Sequence, residues 1–273
     1  MSGGAPTVAL AARALHLSHP GSEREAVRDL HLELRRGEIL AIVGPNGSGK
    51  STLLSAMARD LEPRAGQVVD ERQRGVRDLA RRDFARQVAR LPQEPSCPSS
   101  LTVEELVASG RHPHRPAFGK PSARDRAAVH EALVWTDLEH ARRRPVARLS
   151  GGERRRAWLA MVLAQEAEIL LLDEPLAGLD LGHQFEVAEV LVRLVRERQR
   201  TLAIVLHELS DAVRVAHRIA VIDRGRLYAC GTASEVLTAE TLRDVFGLEA
   251  QVESTIVGPR LLVLGAARDR RYL

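Results

Sequence analysis

The apolar run Ile39–Val43, followed at once by GPNGSGKST and then by LLSAM, constrains this chain more than any other stretch. A short buried strand, a glycine-rich turn and a helix-forming segment in that order predict a strand–loop–helix unit. The residues Gly44, Pro45, Asn46, Gly47, Ser48, Gly49, Lys50, Ser51 and Thr52 fit the spacing G-x-x-x-x-G-K-[S/T]. Glycines at those places let backbone N–H groups approach phosphate oxygens, and the helix dipole favours their negative charge. Lys50 is then expected to reach the β and γ phosphates, and Ser51 to hold magnesium. ATP and Mg2+ are the expected ligands.

Two further apolar runs, Glu168–Asp173 and Thr201–Leu206, have the compact form of strands inside a parallel sheet. Between them, Leu181–Arg198 spaces Phe185, Val187, Ala188, Leu191, Leu194 and Val195 as a helix does. Strand alternating with helix predicts an α/β fold with a parallel core sheet. Asp173 ends its run and Glu174 follows, so two carboxylates emerge at the strand end where open α/β sheets bind ligands. Successive strand side chains point oppositely, which assigns the two acids different work: Asp173 to magnesium, Glu174 to orienting and deprotonating the attacking water. His207 follows the other run and is expected on the same sheet edge, within reach of the γ-phosphate.

Residues 95–148 read as an inserted helical subdomain. Thr102–Glu105 and Ser122–Asp125 both show the capping spacing of a hydroxyl and an acid three residues on. The core is therefore expected over 7–94 and 149–235, within a single domain running from 7 to 249. Residues 1–6 read as disordered, and 250–273 as a C-terminal extension with a hairpin around Gly258-Pro259. Ser150–Glu153 repeats the capping spacing, and a helix opening on Ser150, Gly151 and Gly152 also presents N–H groups that suit a phosphate.

Charge narrows the partners. The chain has 273 residues with a formal net charge of +4, and 38 of its 40 strong bases are arginine, Lys50 and Lys120 being the two lysines. The excess is small and aromatics are 3%, so arginine clusters read as solvated faces and no nucleic-acid partner is expected. Cys97 and Cys230 lack metal-ligand spacing. No apolar run reaches the roughly eighteen residues that span a bilayer, and the N-terminal sequence lacks a signal-peptide layout, so a cytoplasmic location is expected.

The set GPNGSGKST, LSGGE and ILLLDEP, with Gln93 and His207 each after a short strand, closely resembles the ATPases of ATP-binding-cassette (ABC) transporters. The resemblance implies a P-loop NTPase with a parallel core sheet, a small antiparallel β subdomain and the inserted helical subdomain. It also implies a homodimer in which Ser150, Gly151 and Gly152 serve the opposite copy's ATP and Gly178-Leu179-Asp180 crosses the interface. Gln93 would couple magnesium to an integral membrane permease, and the protein would sit on the inner face of the cell membrane, with a substrate-binding protein upstream. The stretch Ser109–Leu133, with LDLGHQFEV and CGTASEVLT, is similar to importers for ferric siderophores, haem and cobalamin. Three departures stand out: His19 occupies the position of the usual aromatic ring on adenine, Arg155 that of the usual Gln after LSGG, and Glu208, after His207, that of the commoner Asp. A soluble ABC-type ATPase acting on DNA, on the ribosome or in iron–sulfur assembly is the alternative reading.

Overall fold

Three five-residue strands without a single exposed residue mark the core of a protein whose computed structural model describes residues 7–19, 21–116, 119–256 and 258–267. Residues 1–6 and the last six positions of the C-terminal extension lie outside them. The chain divides into two compact units, one built from residues up to Val76 and from Leu202 on, the other from Arg77–Thr201.

The first unit opens with β1 (Val8–Ser18), which pairs antiparallel with β2 (Glu25–Arg35). Then come the fully buried β3 (Ile39–Val43), α1 (Lys50–Met57) and β4 (Ala65–Asp70), which returns to the other side of β1. The resulting antiparallel sheet runs β2-β1-β4. Alternating leucines of β2, Leu30, Leu32 and Leu34, face its core.

The second unit contains α2 (Arg81–Gln87), β5 (Val88–Leu91), α3 (Val103–Ser109), α4 (Ala123–Trp135), α5 (Gly151–Ala164), β6 (Ile169–Asp173) and α6 (Leu181–Arg198). β5 and β6 are parallel, with Leu91 opposite Leu172. All three predicted capping boxes form: Thr102, Ser122 and Ser150 each accept from the N–H three residues on, and the acid there accepts from the cap's own N–H. Each motif satisfies donors that a helix start leaves without an intrahelical acceptor.

The chain then re-enters the first unit with β7 (Thr201–Val205), α7 (Leu209–Val215), β8 (Arg218–Asp223), β9 (Arg226–Gly231), α8 (Ala233–Val236) and α9 (Ala239–Phe246). Leu40 of β3 lies opposite Ala203 of β7 and Arg218 of β8, both parallel, while β9 closes antiparallel on β8. Parallel strands buried on both faces account for the uninterrupted apolar runs. β10 (Leu248–Thr255) and β11 (Gly258–Ala266) form an antiparallel pair, a few residues offset from the expected hairpin. The architecture is α/β, with parallel core strands and a separate small antiparallel sheet.

Candidate active site

In the first unit, β3 delivers the chain to a loop whose backbone only glycine tolerates at two points. Gly44 has φ 152°, and a Cβ there would overlap the Ile222 carbonyl oxygen. Gly49, φ 104°, would place a Cβ 2.5 Å from Ala26 O. Gly47 has φ 75° with nothing within 4 Å of a Cβ, so its open side faces outward. The loop is braced by Gly225 N–H donating to Ser48 O at 3.0 Å, while Gly225 O accepts from Arg28 N at 2.8 Å.

Lys50 begins α1 and is 5% exposed, with Nζ donating to Gly44 O at 2.9 Å and Pro45 O at 3.0 Å. Its ammonium is thus held over the loop. Ser48 Oγ is buried with no hydrogen-bond partner. Beside the loop lies a cavity of about 620 Å³, with His19, Arg24, Asn46, Gly47, Asp223 and Arg224 in its walls. His19 is exposed, and its Nε2 lies 3.4 Å from Thr52 Oγ1. The cramped glycines, the open Gly47, the confined ammonium and the unpaired Ser48 hydroxyl fit a phosphate chain followed by a bulkier group. His207 lies two residues beyond the end of β7, exposed in a bend rather than closing the strand.

In the second unit, Asp173 is the last residue of β6 and 1% exposed; Glu174 is 8% exposed and takes the left-handed φ 51°. Gln93, two residues past β5, donates Nε2 to Glu174 Oε1 at 2.7 Å. The two side chains predicted from separate strand ends therefore meet. Arg155, on α5, donates Nη1 to Gln93 O at 2.9 Å, Nη2 to Asp173 O at 2.7 Å and to Glu174 O, and Nε to Pro175 O at 3.4 Å. Burial pulls the Arg155 guanidinium down from its ordinary range, against the opposing pull of the Glu174 and Asp173 charges.

Ser150 caps α5: Glu153 N–H donates to Ser150 Oγ at 3.2 Å and Ser150 N–H to Glu153 Oε2 at 2.9 Å. The Ser150 N–H bond holds the Glu153 carboxyl below the usual range, with Arg144 adding to the effect. Gly151 has nothing within 4 Å of a Cβ, and Gly152 meets only Leu179 Cδ2 at 3.4 Å. Asp180 is the N-cap of α6, accepting from His183 N–H at 3.0 Å, with His183 Nδ1 2.6 Å from its other oxygen.

Among the described residues no group of three or more His, Cys, Asp or Glu is arranged to hold a metal. A magnesium ion here would take oxygens from phosphates and solvent as well as from protein, which is its ordinary habit.

A family model described as ABC transporter matches residues 27–177, a span that includes the loop at Gly44–Thr52, Gln93, Ser150–Gly152, Asp173 and Glu174. The chain is 42% identical over 230 residues to the iron(3+)-hydroxamate import ATP-binding protein of Bacillus subtilis, covering 84% of this chain and 85% of that one. It is 44% identical over 251 residues to the hemin import ATP-binding protein of Streptomyces coelicolor, covering 91% and 87%. Among solved structures, a metal-chelate type ABC transporter in an inward-facing conformation matches with a TM-score of 0.80 at 27% identity, covering 94% of this chain and 98% of that one.

Proposed function

The chain belongs to the ABC transporter family, and from that premise we propose that it is the ATP-hydrolysing subunit of an importer for a ferric siderophore, haem or a related iron chelate or cobalamin. The observation that carries the hydrolytic part is the 2.7 Å bond between Gln93 and Glu174, which holds a buried carboxylate at a strand end. In this reading the loop from Gly44 to Thr52 binds the triphosphate, and Lys50 leaves the loop carbonyls to pair with β and γ oxygens. Glu174 orients the attacking water and takes its proton, and His207 hydrogen-bonds the γ-phosphate. Ser51, Gln93 and Asp173 are assigned to magnesium, which neutralises charge developing on the phosphates. Ser150, Gly151 and Gly152 serve the ATP of a second copy, and Asp180 lies at that interface.

The import part rests on the relatives' names and on the length of chain shared with them. No helix among the described residues is long and apolar enough to cross a membrane, so the pathway for the cargo is assigned to a separate permease. The subunit would then dock on the cytoplasmic side of that permease, with ATP closing the dimer and hydrolysis resetting it. A substrate-binding protein would deliver the cargo from the other side. The domain scheme of core, helical insert at 95–148 and C-terminal extension at 250–273 is part of the same proposal.

The test is reconstitution with the permease in vesicles. Magnesium-dependent ATP hydrolysis should accompany uptake of a ferric siderophore, haem or cobalamin, and Glu174→Gln should slow hydrolysis about 10²- to 10⁴-fold while trapping an ATP-bound dimer. Hydrolysis without uptake of any of these would remove the import assignment. Absence of both hydrolysis and the trapped dimer would remove the ATPase assignment as well.

A further inference from the structure

Helix α5 begins at the Ser150 cap and, five residues later, turns Arg155 onto the end of β6. One guanidinium there meets four backbone carbonyls from two segments: Gln93 on one side, and Asp173, Glu174 and Pro175 on the other. Glu174 O also accepts from Ala177 N–H at 3.2 Å, so the guanidinium adds its donors to those of the backbone at this strand end. Arginine supplies five N–H groups in a rigid planar fork, which suits several acceptors held at fixed separations.

The segment it grips is one that needs holding. Glu174 has φ 51°, a conformation that costs a non-glycine residue on the order of 1–2 kcal/mol and persists only where the surroundings impose it. Its side chain is fixed at the other end by Gln93, whose own carbonyl is one of the four acceptors. Backbone and side chain of Glu174 are thus tied, through Gln93, to the same guanidinium.

We infer that Arg155 is a positioning residue for hydrolysis: it holds the Gln93 and Glu174 segments together so that the Glu174 carboxylate keeps one orientation. Because Arg155 and Ser150 share a helix, the same contact links the segment assigned to the second copy's ATP to the base assigned to this copy's own. This rests on the reading of Glu174 as the base. Glutamine, which the family usually places here, offers two N–H donors and satisfies at most two of the four carbonyls. Lysine concentrates its donors at one point and spans them poorly.

The experiment compares Arg155→Gln, Arg155→Lys and Arg155→Met in the full chain, alone and on a Glu174→Gln background. The readouts are ATPase rate, equilibrium binding of a fluorescent ATP analogue, thermal melting, and hydrogen exchange of the peptides covering 92–95 and 173–178. Arg155→Met should lower kcat on the order of 10- to 100-fold, as small displacements of catalytic groups do, with ATP affinity changed less than about twofold. Arg155→Gln should fall between, Arg155→Lys should resemble Met, and both peptides should exchange faster in Met. On the Glu174→Gln background, Arg155→Met should cause no further loss of rate.

An unchanged kcat in Arg155→Met overturns the inference. So does a loss shared equally by rate, ATP affinity and melting temperature, or an undiminished loss on the Glu174→Gln background. If the wild-type chain hydrolyses no ATP, the functional reading falls separately. Exchange then decides the structural claim, and unaltered protection of both peptides in Arg155→Met overturns it.

Discussion

Gln93 Nε2 and Glu174 Oε1 are 2.7 Å apart, and they join the strand ends of β5 and β6 through a hydrogen bond between side chains 81 residues apart in sequence. The carboxylate so held is almost out of solvent, which makes the isosteric amide an informative replacement. Glu174→Gln keeps the shape and removes the base. Hydrolysis should fall about 10²- to 10⁴-fold, the usual worth of a positioned proton acceptor, with ATP still bound. Steady-state ATPase and equilibrium nucleotide binding on the same preparation check it, and retention of more than a tenth of the activity would rule Glu174 out.

Lys50 has its Nζ on the carbonyls of Gly44 and Pro45 and lies almost entirely within the protein. Lys50→Ala removes the ammonium held over the loop and leaves those carbonyls without its donors. ATP affinity should fall by at least about tenfold, corresponding to roughly 1.4 kcal/mol. Lys50→Arg should not restore it, because a planar fork does not occupy the place of a compact ammonium. Titration with a fluorescent ATP analogue distinguishes the three proteins.

Two glycines of the same loop should fail for different reasons. Gly44→Ala puts a methyl onto the Ile222 carbonyl oxygen, so the damage is to folding, and a loss of at least about 2 kcal/mol is expected, within the range for overpacked sites. Gly47→Ala meets no atom within 4 Å, so its cost to the free protein is limited to a positive φ, about 1–2 kcal/mol. The methyl stands on the side open to phosphate, and ATP affinity should fall all the same. Denaturant unfolding paired with nucleotide titration separates the two; equal effects on both measurements would contradict the assignment of the open side.

His19 lines the cavity next to the loop, with Nε2 3.4 Å from Thr52 Oγ1. If its ring lies against the base, His19→Tyr should tighten ATP binding several-fold, since a larger ring stacks with up to about 1.5 kcal/mol. Unchanged affinity places the base elsewhere in the cavity.

What the sequence disclosed and what it did not divide along range. The strand–loop–helix at Ile39–Met57, the span Leu181–Arg198 of α6 and the three capping boxes depend on residues within a few positions of one another, and each formed where expected. Asp180, which the resemblance places at an interface, also stands immediately before Leu181 as an ordinary N-cap signal, and it caps α6. The hydrogen bond from Gly225 N–H to Ser48 O joins residues 177 positions apart and has no local signature. Arg155 shows the same limit. The residue type departs visibly from the family's Gln, whereas its grip on Gln93 and Glu174 exists only once β5, α5 and β6 are packed.

Arg111 supports the helical segment in a way that makes its stability depend on acid. The side chain is 1% exposed, donating Nε to Asp125 Oδ1 at 2.9 Å, and Nη1 to Ala164 O at 2.6 Å and Glu166 Oε2 at 2.8 Å. Burial pushes the Asp125 carboxyl up, but the hydroxyl and N–H of Ser122 and the Arg111 guanidinium outweigh it and hold the group at about 2. A carboxyl whose folded pKa lies below its unfolded value of 3.8 contributes stability that is present above that value. The contribution is lost as the pH falls from about 4 to about 2, because the unfolded chain takes up the proton first. Arg111→Met leaves Asp125 buried without its cation, and removing one partner of a buried pair costs about 3–5 kcal/mol. The variant should therefore melt well below the wild type at pH 7, and its melting temperature should change less between pH 4 and pH 2, since Asp125 then titrates nearer its unfolded value. Thermal melts across that range decide the matter: equal melting temperatures at pH 7 with parallel acid slopes would show that the Arg111–Asp125 pair carries no such stability.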